Sequence, residues 1–243
     1  MLTLLVPTTA LAQAIQLFDN IPGSFVDISG SKPLVIGADD EIEITTFFGN
    51  FVFPSGIMVV ANNGGVSFQN PPSNDLAPLN APLPSAAAFG GGQSVLAYWD
   101  DFDDKDGEVY FFEQDGRAIV QWHNRRLGAN PASTARFQLQ ILQDPGPAGL
   151  VAQLVFSHIE QTGVEGGSSA TIGYQDGGAG FGNAQWSFDT PGAVSNSTVP
   201  SLVVADTSPV PATSDWGLIV TALAVLAAGT LCIRKCLRLQ HRA

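Results

Sequence analysis

No cysteine occurs before Cys232, and the only other one is Cys236, so disulfides cannot hold the body of this chain together. Histidine is nearly as scarce, with only His123 and His158 ahead of the last three residues. No His-Glu-x-x-His, Gly-x-Ser-x-Gly or Gly-x-x-x-x-Gly-Lys appears, which removes the common signatures of zinc proteases, α/β-hydrolases and phosphate-binding loops. Cations are few: six Lys and Arg precede Trp216 against 22 Asp and Glu, a net charge of −16 for that part of the chain. With no cluster of cations to neutralise phosphates, nucleic-acid binding is disfavoured. No segment before Trp216 carries a convincing amphipathic helical pattern.

What is present is apolar residues and turn formers: 45% hydrophobic content with 26 Gly and 16 Pro in 243 residues. Setting both ends aside leaves roughly 190 residues, enough to bury a core without covalent staples. Four of the ten Lys and Arg occupy the last ten positions. They follow an uncharged run from Trp216 to Ile233, which as a helix would be about 27 Å long, close to the ~30 Å of a bilayer's hydrocarbon core. Asp215 bounds this run on one side and Arg234 and Lys235 on the other, so residues 216–233 read as a transmembrane helix, 234–243 as a basic cytoplasmic tail, and everything before as outside. At the other end, residues 1–14 read as an export signal with candidate cuts after Ala12 or Ala14; because no Lys or Arg precedes its apolar run, its start is expected to lie upstream.

Between the ends, period two dominates. Ile42 and Ile44 alternate with Glu41 and Glu43, and Phe137, Leu139 and Ile141 alternate with Arg136, Gln138 and Gln140. Asn62-Asn63-Gly64-Gly65 and Asp115-Gly116 separate pairs of such runs as hairpin turns do. About ten strands emerge, so residues 15–206 are expected to form an all-β antiparallel sandwich, with an up-and-down barrel as the competing closure. Residues 70–92 hold five prolines and end in three glycines, the composition of a long surface excursion. Residues 207–215 form a Pro/Ser/Thr spacer.

The one concentration of acidic charge is "YWDDFDDKDGEVYFFE". Counted from Phe102, Asp104, Asp106, Gly107 and Glu113 fall at positions 3, 5, 6 and 12 of an EF-hand loop. Phe102 replaces the first ligand and the flanks are strands, so an EF-hand is rejected. A looser Ca²⁺ site from Asp101, Asp103, Asp104 and Asp106 is the metal site to test, because carboxylates packed this closely need a cation or solvent to relieve their repulsion. His123 and His158 read as strand residues. Asn196-Ser197-Thr198 fits a glycosylation acceptor in form only.

Two resemblances follow from these residues. Val210, Pro211, Ser214, Asp215, Trp216 and Gly217, followed by the apolar run and by Arg234 and Lys235, resemble the bacterial IPTL-CTERM sorting signal, Ile-Pro-Thr-Leu-Ser-Glu-Trp-Gly. That likeness implies export, transient anchoring and processing by an exosortase-type membrane protease, the sorting residues being read rather than catalytic. In the body, "AYWDDFD", "GEVYFF", "AIVQWHN", "RFQLQIL" and "ATIGYQDG", from Ala97 to Gly177, are similar in order and spacing to the extracellular nidogen-like domain. This implies a surface or matrix role with a partner it does not name. The expected function is a structural or adhesive surface protein, not an enzyme. A carbohydrate-binding module is the alternative, for which Trp99, Trp122 and Trp186 would need to be exposed, and a secreted hydrolase is the third option.

Overall fold

The computed structural model describes residues 13–19, 21–68, 75–128, 132–160 and 166–206. Residues 1–12, within the segment expected to be an export signal, and residues 207–243, where the spacer, sorting motif, transmembrane helix and basic tail are expected, lie outside the described residues. Thirteen strands and no α-helix are present among those described. In chain order they are β1 (Gln13–Phe18), β2 (Pro33–Leu34), β3 (Glu41–Thr46), β4 (Gly56–Ala61), β5 (Gly65–Ser67), β6 (Ser94–Trp99), β7 (Glu108–Gln114), β8 (Arg117–Arg126), β9 (Thr134–Leu142), β10 (Leu150–Glu160), β11 (Thr171–Gln175), β12 (Ala184–Phe188) and β13 (Ser201–Asp206).

Every pairing is antiparallel. One sheet runs β1-β13-β10-β9-β8-β7-β2 and the other β12-β11-β6-β5-β4-β3, the sandwich expected from period-two alternation. The inward residues of β9, Phe137, Leu139 and Ile141, meet Val120 and Trp122 from β8, Val60 and Met58 from β4, and Tyr98 from β6 in one core. Trp122 stacks on Phe137 at 4.9 Å, and Tyr98 approaches the same ring at 5.5 Å. Two of the thirteen strands fall where the sequence gives no strand signal: β1 begins at Gln13, where the sequence reads as the last residues of a leader, and β2 is only two residues long.

Both sheets also have covered outer faces, by opposite physical means. On the six-stranded sheet, Val59 and Ala61 point away from the main core and join Leu96 and Trp99 in a second apolar cluster, closed by Leu76, Ala88 and Phe89. The described part of the Pro-rich excursion is therefore a packed cover: Leu76 bridges Ala88, and Trp99 Nε1 donates to the Ala77 carbonyl at 2.7 Å.

On the seven-stranded sheet the cover is polar. Gln121, Gln138, Gln140 and Gln153, which alternation places opposite the core, are nonetheless buried, at 0, 0, 0 and 3% exposure. A strap linking β1 to β2 crosses above them. Gln153 Nε2 donates to the Pro22 carbonyl at 3.2 Å and Gln140 Nε2 to that of Ser24 at 2.9 Å. Gln138 grips the Val26 peptide at both ends, donating to its carbonyl and accepting its N–H at 3.1 Å. Gln121 Oε1 accepts the Ile28 N–H at 3.0 Å. Residues 22, 24, 26 and 28 thus use side-chain amides where a strand would use a neighbouring backbone. The amides bond one another too, Gln138 Nε2 to Gln121 Oε1 at 2.6 Å and Gln140 Nε2 to Gln138 Oε1 at 2.8 Å.

Truncating Gln138 leaves the Val26 N–H and C=O without partners under the strap and breaks the amide chain in the middle. Gln138→Ala is expected to cost about 2–4 kcal/mol in chemical denaturation. Lys32→Ala, at an exposed position, should stay within about 0.5 kcal/mol.

Candidate functional site

The acidic run connects β6 to β7 at the end of the sandwich where the β4–β5 turn also lies. Three residues of that turn organise it. Gly64 has φ 82°, and its carbonyl accepts the N–H groups of Ala97 (2.9 Å) and Tyr98 (3.1 Å); a Cβ there would run into the Tyr98 carbonyl. This fixes Asn62 and Asn63 against the following loop. Asn63 Oδ1 accepts the Phe102 N–H at 3.0 Å, Asn62 Nδ2 donates to the Phe102 carbonyl, and Arg125 donates to Asn62 Oδ1. So clasped, Phe102 drops its ring into the core beside Tyr98 at 6.0 Å and Phe137 at 5.9 Å. The aromatic residue that spoils the EF-hand count is the anchor of the loop.

The carboxylates around that anchor part company. Asp100 turns inward, accepting Ser169 Oγ at 2.7 Å and the Asp101 N–H at 2.9 Å. Asp103 takes the guanidinium of Arg126 through Nε (2.8 Å) and Nη2 (2.6 Å), and Asp106 reaches Arg126 Nη1 at 3.2 Å. Asp104 is exposed. Asp101 lies apart from this pair, beside Gly128, whose N–H bonds the Asp101 carbonyl at 2.7 Å. Of the four residues expected to gather on Ca²⁺, two converge, and the cation they converge on is Arg126. Among the described residues no group of three or more His, Cys, Asp or Glu side chains is arranged to hold a metal ion.

Charge is nevertheless crowded here. Burial lifts the Asp101 carboxyl above its ordinary range, and Asp39 and Asp103 add repulsion. Burial raises Asp100 to about 6, with Asp101 and Asp189 contributing. Burial acts on Asp103 in the same direction but is outweighed by Arg126, which holds that carboxyl low. Glu41 is raised to about 7, again by burial first and then by Asp75 and Asp40, although its Oε1 accepts the Leu76 N–H at 2.8 Å. Glu41 thereby fastens the start of the apolar cover to β3. The sequence places it on a polar strand face, where nothing distinguishes it from Glu43.

Two of the three indoles lie inside the molecule. Trp99 and Trp122 are fully buried, the latter donating to the Ala61 carbonyl at 3.0 Å, and Trp186 is partly buried with Nε1 donating to the Ala193 carbonyl at 3.0 Å. Trp99 and Trp122 therefore offer no stacking platform on a sheet face. His123 stands on the outer face of β8 with its Nδ1 2.9 Å from Gln121 Nε2, and His158 lies on β10 next to a register shift. The sorting residues Val210 to Gly217, Arg234 and Lys235 lie outside the described residues.

With this architecture established, comparison with known families is decisive: the profile described as NIDO related matches residues 17–214. The chain belongs to the NIDO-related family. The match takes in the strap, both covers and, apart from the first four residues of β1, both sheets, well beyond the Ala97–Gly177 stretch that carries the sequence resemblance. No curated protein and no solved structure matches the chain. Membership in the nidogen-related family is in keeping with an extracellular location.

The two raised carboxyls generate a pH prediction. Each folded-state pKa, about 7 for Glu41 and about 6 for Asp100, lies above its unfolded value, so both groups take up protons on folding. Their contribution is most favourable below about pH 4 and declines as pH rises to about 7. A double variant, Glu41→Gln with Asp100→Asn, should melt higher than the native chain at pH 8, and the gap should narrow steadily towards pH 5. A gap that widens on acidification contradicts this assignment.

Proposed function

We propose that this protein is an exported surface or matrix component with a structural or adhesive role, its acidic sandwich held outside the cell while residues 216–233 anchor it. The observation that carries this reading is the family match across residues 17–214. Val210 to Gly217, the uncharged run and the basic tail form the sorting signal, read by an exosortase-type membrane protease that releases the domain to the surface. The sandwich suits that fate: its core and both covers are built without disulfides, so folding does not depend on the redox state met after export. Its net charge of −16 before Trp216 favours solubility and basic or cation-bearing partners.

Burial of Trp99 and Trp122 supports the structural reading over a carbohydrate-binding module, because sugar stacking needs an aromatic face open to solvent.

Expression in an exosortase-bearing bacterium tests the proposal. The full chain should partition between membrane and surface, and deletion of residues 210–243 should place a soluble domain in the medium. Trp216→Ala with Gly217→Ala should accumulate uncut chain in the membrane fraction. Recovery of the intact full chain as a soluble cytosolic protein overturns the reading, and specific binding on a glycan array shifts it to the carbohydrate-binding alternative.

A further inference from the structure

The strap's amide clasp contains one contact to a histidine, at His123. Gln121 Oε1 accepts from the Ile28 N–H (3.0 Å) and from Gln138 Nε2 (2.6 Å), which fixes the orientation of its amide. Its Nε2 therefore points both protons outward, one to Asp27 Oδ1 at 3.0 Å and one to His123 Nδ1 at 2.9 Å. An N–H aimed at Nδ1 requires a lone pair there. His123 is thus neutral, with its proton on Nε2.

Charged and titratable groups face the imidazole from each neighbouring element. Asp27 comes from the strap, Glu108 lies directly across on β7, Tyr110 of β7 meets the ring edge-on at 6.0 Å, and Arg136 approaches from β9. Burial holds the imidazole below its ordinary pKa, and Arg136 adds to this against the pull of Asp27. Asp27 itself is held down to about 2, first by its hydrogen bond from Gln121, so it stays ionised when His123 titrates.

We infer that His123 is an acid-sensitive latch on the strap: a proton on Nδ1 confronts the Gln121 N–H, and the amide must turn away, releasing Asp27 and the Ile28 N–H together. The freed Asp27 carboxylate, beside the new imidazolium, then gains an ion-pair partner that the clasped arrangement does not provide. The other clasps, Gln138 on Val26, Gln140 on Ser24 and Gln153 on Pro22, involve no histidine or carboxylate. Acid therefore loosens the Asp27 to Lys32 end, next to the two-residue β2, before it loosens the rest. Because the clasped histidine binds its proton less readily than a free one, the hold is complete above about pH 6.5 and is lost as pH falls below it.

Hydrogen exchange followed by mass spectrometry on the full chain tests this at pH 7.5 and 5.5, with rates normalised to the chemical exchange of unfolded peptide. Opening of the segment 25–34 should rise about tenfold on acidification, the factor for one proton taken up with an ordinary histidine pKa. In His123→Gln and His123→Phe the same ratio should stay within about twofold. β11 should lose no protection on acidification in any of the three chains, since protonation of Glu41 and Asp100 acts in the stabilising direction, and its protection also confirms that the variants fold. An equal strap opening at both pH values in the native chain, the same tenfold rise in both variants, or a matching loss across β11 overturns the latch. Nitrogen NMR of the native chain at pH 7.5 provides a check that needs no variant: a proton on His123 Nδ1 contradicts it.

Discussion

A buried polar face must find partners, and much of this fold is arranged around satisfying one. Period-two alternation in β8, β9 and β10 sends aromatic and aliphatic side chains to the core, which leaves Gln121, Gln138, Gln140 and Gln153 on the reverse. Their burial would be costly if their amides were unpaired. The strap from Pro22 to Ile28 resolves this by offering its backbone at every second residue. The amides in turn satisfy a backbone that has no strand beside it. Because the strap also links β1 at one edge to β2 at the other, the same contacts tie together the two sides of the seven-stranded sheet.

The six-stranded sheet achieves the same end with apolar contact. Leu76, Ala88 and Phe89 close over Val59, Ala61, Leu96 and Trp99, and polar fasteners at the rim, Glu41 to the Leu76 N–H and Gln175 to the Ala88 carbonyl, hold the cover in place. An apolar cover tolerates small shifts, since dispersion and burial are non-directional. An amide clasp does not, because each hydrogen bond needs its geometry. The difference puts the sensitive contacts of the molecule on the strap side, where His123 shares an amide with Asp27. The acidic loop is sensitive in another way: its shape depends on the Asn62 and Asn63 grip on Phe102, and Arg126 offsets only part of its charge.

Much of this was legible in the residues. Alternation in Arg136 to Leu142 and in Glu41 to Ile44, and the turns at Asn62-Asn63-Gly64 and Asp115-Gly116, mark strands and hairpins that the structure contains. What alternation cannot say is what lies over the polar face. A strap held by side chains makes no ladder and leaves no periodic pattern, so nothing marks residues 22–28 in the sequence, and alternation says only that the glutamines lie opposite the apolar residues. The one available signal was their type: neutral amides at Gln121, Gln138, Gln140 and Gln153 where an exposed face would carry more charge. β1 was hidden because its apolar residues merge with the run read as a leader, and the cover from Leu76 to Phe89 because proline speaks against strands without speaking against packing. Of the acidic run, sequence could show crowding of charge but not that Arg126, 20 residues or more away in the chain, would stand between two of its carboxylates.

The claim on which the functional account rests is the side of the membrane that the sandwich occupies. Cells producing the full chain, with a small epitope inserted in the exposed turn between β9 and β10, can be labelled intact with an antibody that does not cross membranes. Labelling of intact cells at a level close to that after permeabilisation is the result predicted. Labelling that appears only after permeabilisation of every membrane would contradict it.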